Sequence, residues 1–400
     1  NGRAGAALAI AAIGSFFAGC VATIGIAIVG PPLASIAQKF GAAEYFSLMV
    51  FGLIGAVVLA SGSVIKAVAM IILGLLMGLA GQDVTSGAAR FTFGLPELAD
   101  GIGFVAVAMG LFGMAEIMTN LERSAKLPGG EPRTYPVNGL MPTRADLRQA
   151  RFPILRGTAI GSFLGILPGG GSVLASFSSY TLEKKVAKDP SRFGKGAIEG
   201  VAGPEAANNA AAQASFIPLL TLGIPSNPVM ALMIGAMTIQ GITPGPQVMD
   251  KQPALFWGII ASMWIGNLML VIINLPLVGI WVQLLKVPYR HLFPAIIIFC
   301  AIGIYSLNNS PVDVLFTALF GLMGYLFVKL GFEPAPLLLG FILGPMMEEN
   351  LRRALQISRG NLMTFVDRPI SLGLLLAAAV LLIIVILPSV RRRREDVFQE

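Results

Sequence analysis

Charge is scarce in this 400-residue chain: 12% of positions are charged and 55% are apolar. A water-soluble domain carries about a quarter charged residues, so this balance excludes an ordinary soluble surface. Two cysteines, Cys20 and Cys300, lie far apart inside apolar runs, which excludes a disulfide framework and gives no metal cluster. The lone histidine, His291, makes no triad or metal site by itself. Neither His-Glu-x-x-His nor Gly-x-Ser-x-Gly occurs, so an intramembrane hydrolase lacks its machinery and no enzyme is expected. The start Asn1-Gly2-Arg3 has no initiator Met and no charged-then-apolar leader, and reads as a fragment or processed product. The net charge of +7 does not point to nucleic acid, because the basic residues sit in short segments between apolar runs, where they orient helices.

Apolar runs are what the chain has in plenty. They fall at 4–36, 46–81, 101–121, 154–180, 204–246, 254–281, 292–307, 311–331, 334–347 and 369–390. The expected fold is an all-α integral membrane protein, a polytopic helical bundle of about ten to twelve membrane segments with re-entrant and discontinuous helices. The run from Tyr45 to Gly81 is split at Ser61-Gly62-Ser63, a helix-weakening cluster. Four regions follow: N-terminal membrane helices over 1–122, a basic cytoplasmic loop over 123–153, a re-entrant hairpin and broken helix over 154–246, and C-terminal membrane helices with a basic tail over 247–400.

Lys and Arg are retained on the cytoplasmic side of short loops. Both flanks of 154–180 are basic, with Arg123, Lys126, Arg133, Arg144, Arg148 and Arg151 before it, Arg156 at its start, and Lys184, Lys185, Lys188, Arg192 and Lys195 after it. One crossing cannot begin and end on the same side, so a re-entrant hairpin is predicted with its tip at Pro168-Gly169-Gly170-Gly171-Ser172. Irregular backbone at that depth is tolerated where protein or a water-filled cavity satisfies it. Farther on, Leu222-Gly223-Ile224-Pro225-Ser226-Asn227-Pro228 predicts a helix unwound at its middle.

These two breaks carry the candidate chemistry. N–H groups at Gly169, Gly170, Gly171 and Ser172 would open a half-helix and favour an anion such as a carboxylate; close packing by Gly and Pro is the alternative. Asn208 and Asn209 point about 100° apart on a helix, so at least one amide could face a cavity, or both could join helices. The break offers carbonyls of Leu222, Gly223, Ile224 and Pro225, the Ser226 hydroxyl and the Asn227 amide, a set able to hold a cation beside an anion. Glu205 is a further cation candidate or an ordinary first-turn acid. Asn267 and Asn274 share a helix face and could line a path or join helices.

Taken in order, Pro168-Gly169-Gly170-Gly171, Phe177-Ser178-Ser179-Tyr180, Phe193-Gly194-Lys195-Gly196, Pro204-Glu205-Ala206-Ala207-Asn208-Asn209, Leu222-Gly223-Ile224-Pro225 and Gly241-Ile242-Thr243-Pro244-Gly245-Pro246 resemble the large membrane subunit of the tripartite tricarboxylate transporters. Further similarity lies at Asp83–Gly94, Asn267–Gly279 and Leu339–Arg353. Members often carry Gly-Ser after Leu-Gly-Ile-Pro, where this chain has Ser226-Asn227-Pro228, and usually have a preceding repeat that is absent here. The resemblance implies a secondary active transporter in the bacterial inner membrane. It would move a tricarboxylate such as citrate, or a related di- or aromatic carboxylate, by symport with sodium or a proton and no other cofactor. Its partners would be a small membrane subunit and a periplasmic solute-binding protein. A truncated scaffold and a carboxylate channel are the competing readings.

Overall fold

The computed structural model of the chain describes residues 3–59, 63–83, 86–126, 141–167, 171–277, 280 and 289–386. In chain order its helices are α1 (Ala4–Ala37), α2 (Ala42–Leu59), α3 (Val64–Gly78), α4 (Phe104–Ala108), a π-helical segment Met109–Met114, α5 (Ala115–Lys126), α6 (Arg144–Ile166), α7 (Gly171–Val186), α8 (Glu199–Ala214), α9 (Phe216–Leu222), α10 (Pro228–Ile239), α11 (Gln247–Lys251), α12 (Pro253–Asn274), α13 (Tyr289–Asn308), α14 (Pro311–Lys329), α15 (Pro334–Ile357), α16 (Thr364–Asp367) and α17 (Pro369–Ile386). Among the described residues the only strands, Gly81–Gln82 and Ala89–Arg90, form one short antiparallel pair.

Gly5–Ala37, Phe104–Glu122, Pro253–Asn274 and Pro311–Lys329 are long and apolar enough to cross a membrane, and shorter apolar helices accompany them. This is an all-α polytopic membrane protein. The helices α2 and α3 stop and start on either side of the Ser61-Gly62-Ser63 cluster. The apolar run 334–347 extends farther than its hydropathy suggests, because α15 continues through a charged half to Ile357. There Glu349 and Arg353 pair one turn apart at 2.5 Å, a spacing that supports a solvated helix.

The chain divides into two compact units. The first comprises Asn1–Gln38, Gly130–Ser226 and Gln240–Val287. Within it, α6 starts at a capping box: the Thr143 hydroxyl accepts from the Asp146 N–H at 3.2 Å, and the Thr143 N–H donates to the Asp146 carboxylate at 2.9 Å. Ala-rich α8 then lies parallel to α6. A Cβ on Gly157, Gly161 or Gly165 would meet the carbonyl oxygens of Gly203, Ala207 and Ala211 at 2.2, 2.2 and 2.4 Å. Three glycines at every fourth position therefore let the two backbones touch, the small-residue contact that replaces hydrophobic driving force between membrane helices. Helix α7 runs antiparallel to both: Arg156 on α6 forks onto Glu183 on α7 at 2.8 and 2.5 Å, and Ser176 on α7 reaches the Pro204 carbonyl at 3.2 Å. Helix α1 packs on α6, α8 and α12, closing a core of Ile10, Ala18, Ala22, Ile154, Ala202, Ala206 and Ala210.

The second unit comprises Lys39–Gly129, Asn227–Ile239 and Pro288–Glu400. Glycines again set its tightest contact, since a Cβ on Gly74 or Gly78 of α3 would fall 2.0 or 2.3 Å from the Leu337 and Phe341 carbonyls of α15. Its core gathers Met70, Val107, Leu111, Ala231, Phe320, Leu338 and Phe341. Lys66 donates to the Leu330 carbonyl at 2.6 Å and lies over the Phe332 ring.

Candidate functional site

The predicted tip of the hairpin falls partly out of view, because Pro168, Gly169 and Gly170 lie outside the described residues. What flanks them is defined. Helix α6 ends with the Leu167 N–H on the Leu164 carbonyl at 3.1 Å. Helix α7 opens at buried Gly171 with φ of 30°, a backbone setting that favours glycine. Ser172 follows, half-buried, and its carbonyl accepts from the Ser176 hydroxyl at 2.9 Å.

The second break has a specific cause. Helix α9 ends at Gly223 in the left-handed conformation, φ 71° and ψ 24°. The Gly223 N–H bonds to the Leu219 carbonyl at 3.1 Å and the Ile224 N–H to Pro218 at 3.3 Å, the paired closure of a Schellman end. A Cβ at Gly223 would come within 2.8 Å of the Pro244 carbonyl, so the Gly241–Pro246 stretch packs directly on the break. Residues Gly223 to Ser226 are buried. Among the described residues no backbone N–H reaches the carbonyls of Leu222, Gly223, Ile224 or Pro225. A carbonyl in a buried segment that no backbone N–H satisfies is the kind of oxygen that a hard cation seeks.

Ser215, between α8 and α9, links the two breaks. Its hydroxyl donates to the Gly165 carbonyl at 3.2 Å and to Ala211 at 2.7 Å. Its own carbonyl accepts a long hydrogen bond from the Ser226 hydroxyl at 3.5 Å. The end of α6 and the end of the second break thus share one fully buried residue. Asn227 has a different place: it belongs to the second unit, and its side-chain oxygen caps α10 by accepting from the Met230 N–H at 3.0 Å. An Asn followed by Pro at the first helical position is a start signal that the sequence carried.

Helix α8 has one alanine face, packed on α6 and α7, and one polar face. Glu205, Asn209 and Gln213 stand on the polar face at successive turns, with Asn208 beside them. Asn208 is exposed. Asn209 is committed to α1, since its amide donates to the Ser15 hydroxyl at 2.7 Å and back to the Glu205 carbonyl at 3.3 Å. Gln213 donates to the Asn267 side-chain oxygen on α12 at 3.2 Å. Asn267 is buried while Asn274 is exposed, so the two asparagines that share a helix face do not share an environment. Ser15, Gln213 and Ser215 escaped the sequence reading. Gln213 lies four residues after Asn209, a spacing that was there to be used; the Ser15 contact joins positions 194 residues apart, which no local pattern reveals.

The second unit brings together the stretches of family similarity at Asp83–Gly94 and Leu339–Arg353. Arg90 pairs with Glu348 at 2.7 Å, and Arg352 pairs with Asp83 at 2.8 Å and with Glu348 at 2.7 Å. They border a cavity of about 280 Å³ that Arg353 and Glu349 also line. The basic cluster Arg391–Arg394 lies outside the described residues, as do the side-chain surroundings of His291.

Glycine-mediated helix contacts and a helix interrupted at a buried break are features that multi-pass membrane transport proteins use. The comparisons identify which one: residues 1–339 match the model of the Tripartite tricarboxylate transporter TctA family, and the chain belongs to that family. It is 60% identical over its whole length to an "Uncharacterized 52.8 kDa protein in TAR-I ttuC' 3'region" of Agrobacterium vitis, of which it covers 79%. It is 64% identical over 240 residues, 60% of this chain and 99% of the relative, to an "Uncharacterized protein in TAR-II ttuC' 3'region" of the same organism. No solved structure matches the chain.

Proposed function

We propose that this chain is the transporting subunit of a cation-coupled carboxylate symporter in the bacterial inner membrane. It would take substrate from a periplasmic solute-binding protein and work with a small membrane subunit. The observation that carries the reading is the Ser215 link, which holds the end of α6, just before Pro168-Gly169-Gly170, to Ser226 at the second break. On this reading an anion site and a cation site are neighbours. In a medium of low dielectric, opposite charges so placed stabilise one another.

The carboxylate is assigned to the start of α7, with Gly169, Gly170, Gly171 and Ser172 as backbone donors. The cation, sodium or a proton carrier, is assigned to the carbonyls of Leu222 to Pro225 with Ser226, and Glu205 is the acid nearest in sequence to these carbonyls. Asn208 is the amide that meets substrate, because Asn209 is already bonded to Ser15. On this reading Arg151 and Lys195 are both cytoplasmic, and cysteine labelling from each side finds them equally accessible from the same face.

The deciding experiment is uptake of carboxylates by vesicles holding all three components, under separately imposed sodium and proton gradients. Gradient-driven uptake supports symport. Single-channel currents would favour a channel, and absence of flux with both partners present would leave a scaffold.

A further inference from the structure

Gln213 and Asn267 form a hydrogen-bonded amide pair with an unmatched group at each end. Gln213 Nε2 donates to Asn267 Oδ1 at 3.2 Å. Gln213 Oε1, an acceptor, and Asn267 Nδ2, a donor, are buried and pair with no nitrogen or oxygen among the described residues. The Cys20 thiol lies within hydrogen-bonding reach of Asn267, but a thiol is only a weak acceptor, which an anion's oxygen would displace. Two amides side by side can exchange two hydrogen bonds; this pair makes one. Asn267 is held there firmly, being 1% exposed. It also sits so close to α1 that a Cβ on Gly19 would lie 2.5 Å from its Oδ1. An orphaned buried polar group costs about 1–3 kcal/mol, and such groups in native proteins commonly mark the place of an ion, a water or a catalytic partner.

The chemistry of the two ends is complementary to the two ligands proposed above. A carbonyl oxygen without a donor is a ligand for a hard cation. An amide N–H without an acceptor suits a carboxylate oxygen. Between them lies an unbroken polar chain, from the Gln213 carbonyl through its Nε2–H to the Asn267 carbonyl and on to Nδ2–H. Hydrogen bonds in series polarise one another, most strongly where the dielectric is low. A cation on Gln213 Oε1 makes Nε2–H a better donor, and this in turn makes Asn267 Nδ2–H a better donor toward an anion. Turning both amides over reverses the direction of the chain and keeps one free acceptor and one free donor. Gln213 is two residues from Ser215, so the pair belongs to the same segment that ties the breaks together.

We infer that Gln213 and Asn267 are an amide relay that couples cation binding to carboxylate binding, with one end contacting each ligand when α12 or α1 moves off α8. The inference rests on the symporter reading and adds two residues that it did not use. Neither amide titrates, so the relay works without proton transfer and keeps its coupling across pH.

The test measures citrate affinity in lipid-reconstituted complex without sodium and in saturating sodium, for the unaltered protein and for Gln213→Ala, Gln213→Glu and Asn267→Ala. Correct folding is checked by monodispersity in detergent. The unaltered protein should bind citrate roughly 5- to 150-fold more tightly in sodium, the usual span for two coupled sites. Gln213→Ala and Asn267→Ala should bring that ratio to near one, and the double substitution should do no more than either single one. Gln213→Glu keeps the cation ligand and loses the Nε2 donor, so sodium should still bind while the coupling disappears. A merely structural pair would lower citrate affinity equally in both conditions and leave the ratio intact, and that result overturns the relay. If the unaltered protein itself shows no dependence on sodium, the sodium symporter reading fails and the relay falls with it.

Discussion

The hydroxyl of Ser215 lies 3.2 Å from the carbonyl of Gly165. It joins the last turn of one helix to the junction between two others. Gly165 is also the third of the glycines on which α8 rests, so the same contact that permits close packing delivers Ser215 to the end of α6. The position of Ser215 follows from backbone proximity, which only residues without bulk allow.

Asn208 and Asn209 should separate when each is replaced. Asn208→Ala is expected to lower carboxylate uptake while leaving the amount of folded protein unchanged, since its side chain is exposed on the polar face of α8. Asn209→Ala breaks the bond to Ser15 and should cost about 1 kcal/mol of stability, the scale of one interhelical hydrogen bond in a membrane. Uptake normalised to abundance in the same preparation distinguishes the two.

Gly161→Ala places a methyl group 2.2 Å from the Ala207 carbonyl oxygen. No rotamer relieves a clash of Cβ with backbone, so α6 and α8 must separate. The expected destabilisation is roughly 1–3 kcal/mol, the usual cost of overpacking. Thermal unfolding in detergent would register it, and an unchanged melting temperature would mean that the two helices are not in this contact.

Arg156→Ala leaves the Glu183 carboxylate, 2% exposed, without its partner. Breaking a fully buried pair from one side costs about 3–5 kcal/mol, and less is expected here because Arg156 is 35% exposed; replacing both members by apolar residues is often neutral. Arg156→Met with Glu183→Met should therefore fold better than Arg156→Ala alone. Expression and monodispersity of the two variants give the comparison.

Asp146 supplies a pH dependence. The Arg3 guanidinium, with the hydroxyl and backbone N–H of Thr143, holds its carboxyl down to about 2 from an ordinary 3.8. A folded-state value below the unfolded one means that the charged form is favoured by folding. The stabilisation is complete above about 3.8 and is lost as pH falls toward 2. The difference in melting temperature between the unaltered protein and Asp146→Asn should be constant near neutrality and shrink across that acid window.

The sequence by itself determined the solvent and the punctuation of this protein. Its apolar runs demand a bilayer, and the backbone within one must form helices because no water is there to satisfy N–H and C=O groups. Gly and Pro then mark where helices stop, as at Ser61-Gly62-Ser63 and Gly223-Ile224-Pro225, since these are effects of a residue on its own backbone. Glu205, Asn208 and Asn209 were recognisable as polar exceptions for the same local reason. What such patterns cannot carry is which polar group finds which partner. Asn209 rather than Asn208 meets Ser15, Asn267 rather than Asn274 is enclosed, and Gln213 becomes half of a pair, because α1 and α12 approach one side of α8 and the glycines of α6 occupy another. Those choices depend on how close two backbones come across long stretches of chain, and only the folded arrangement of helices decides that.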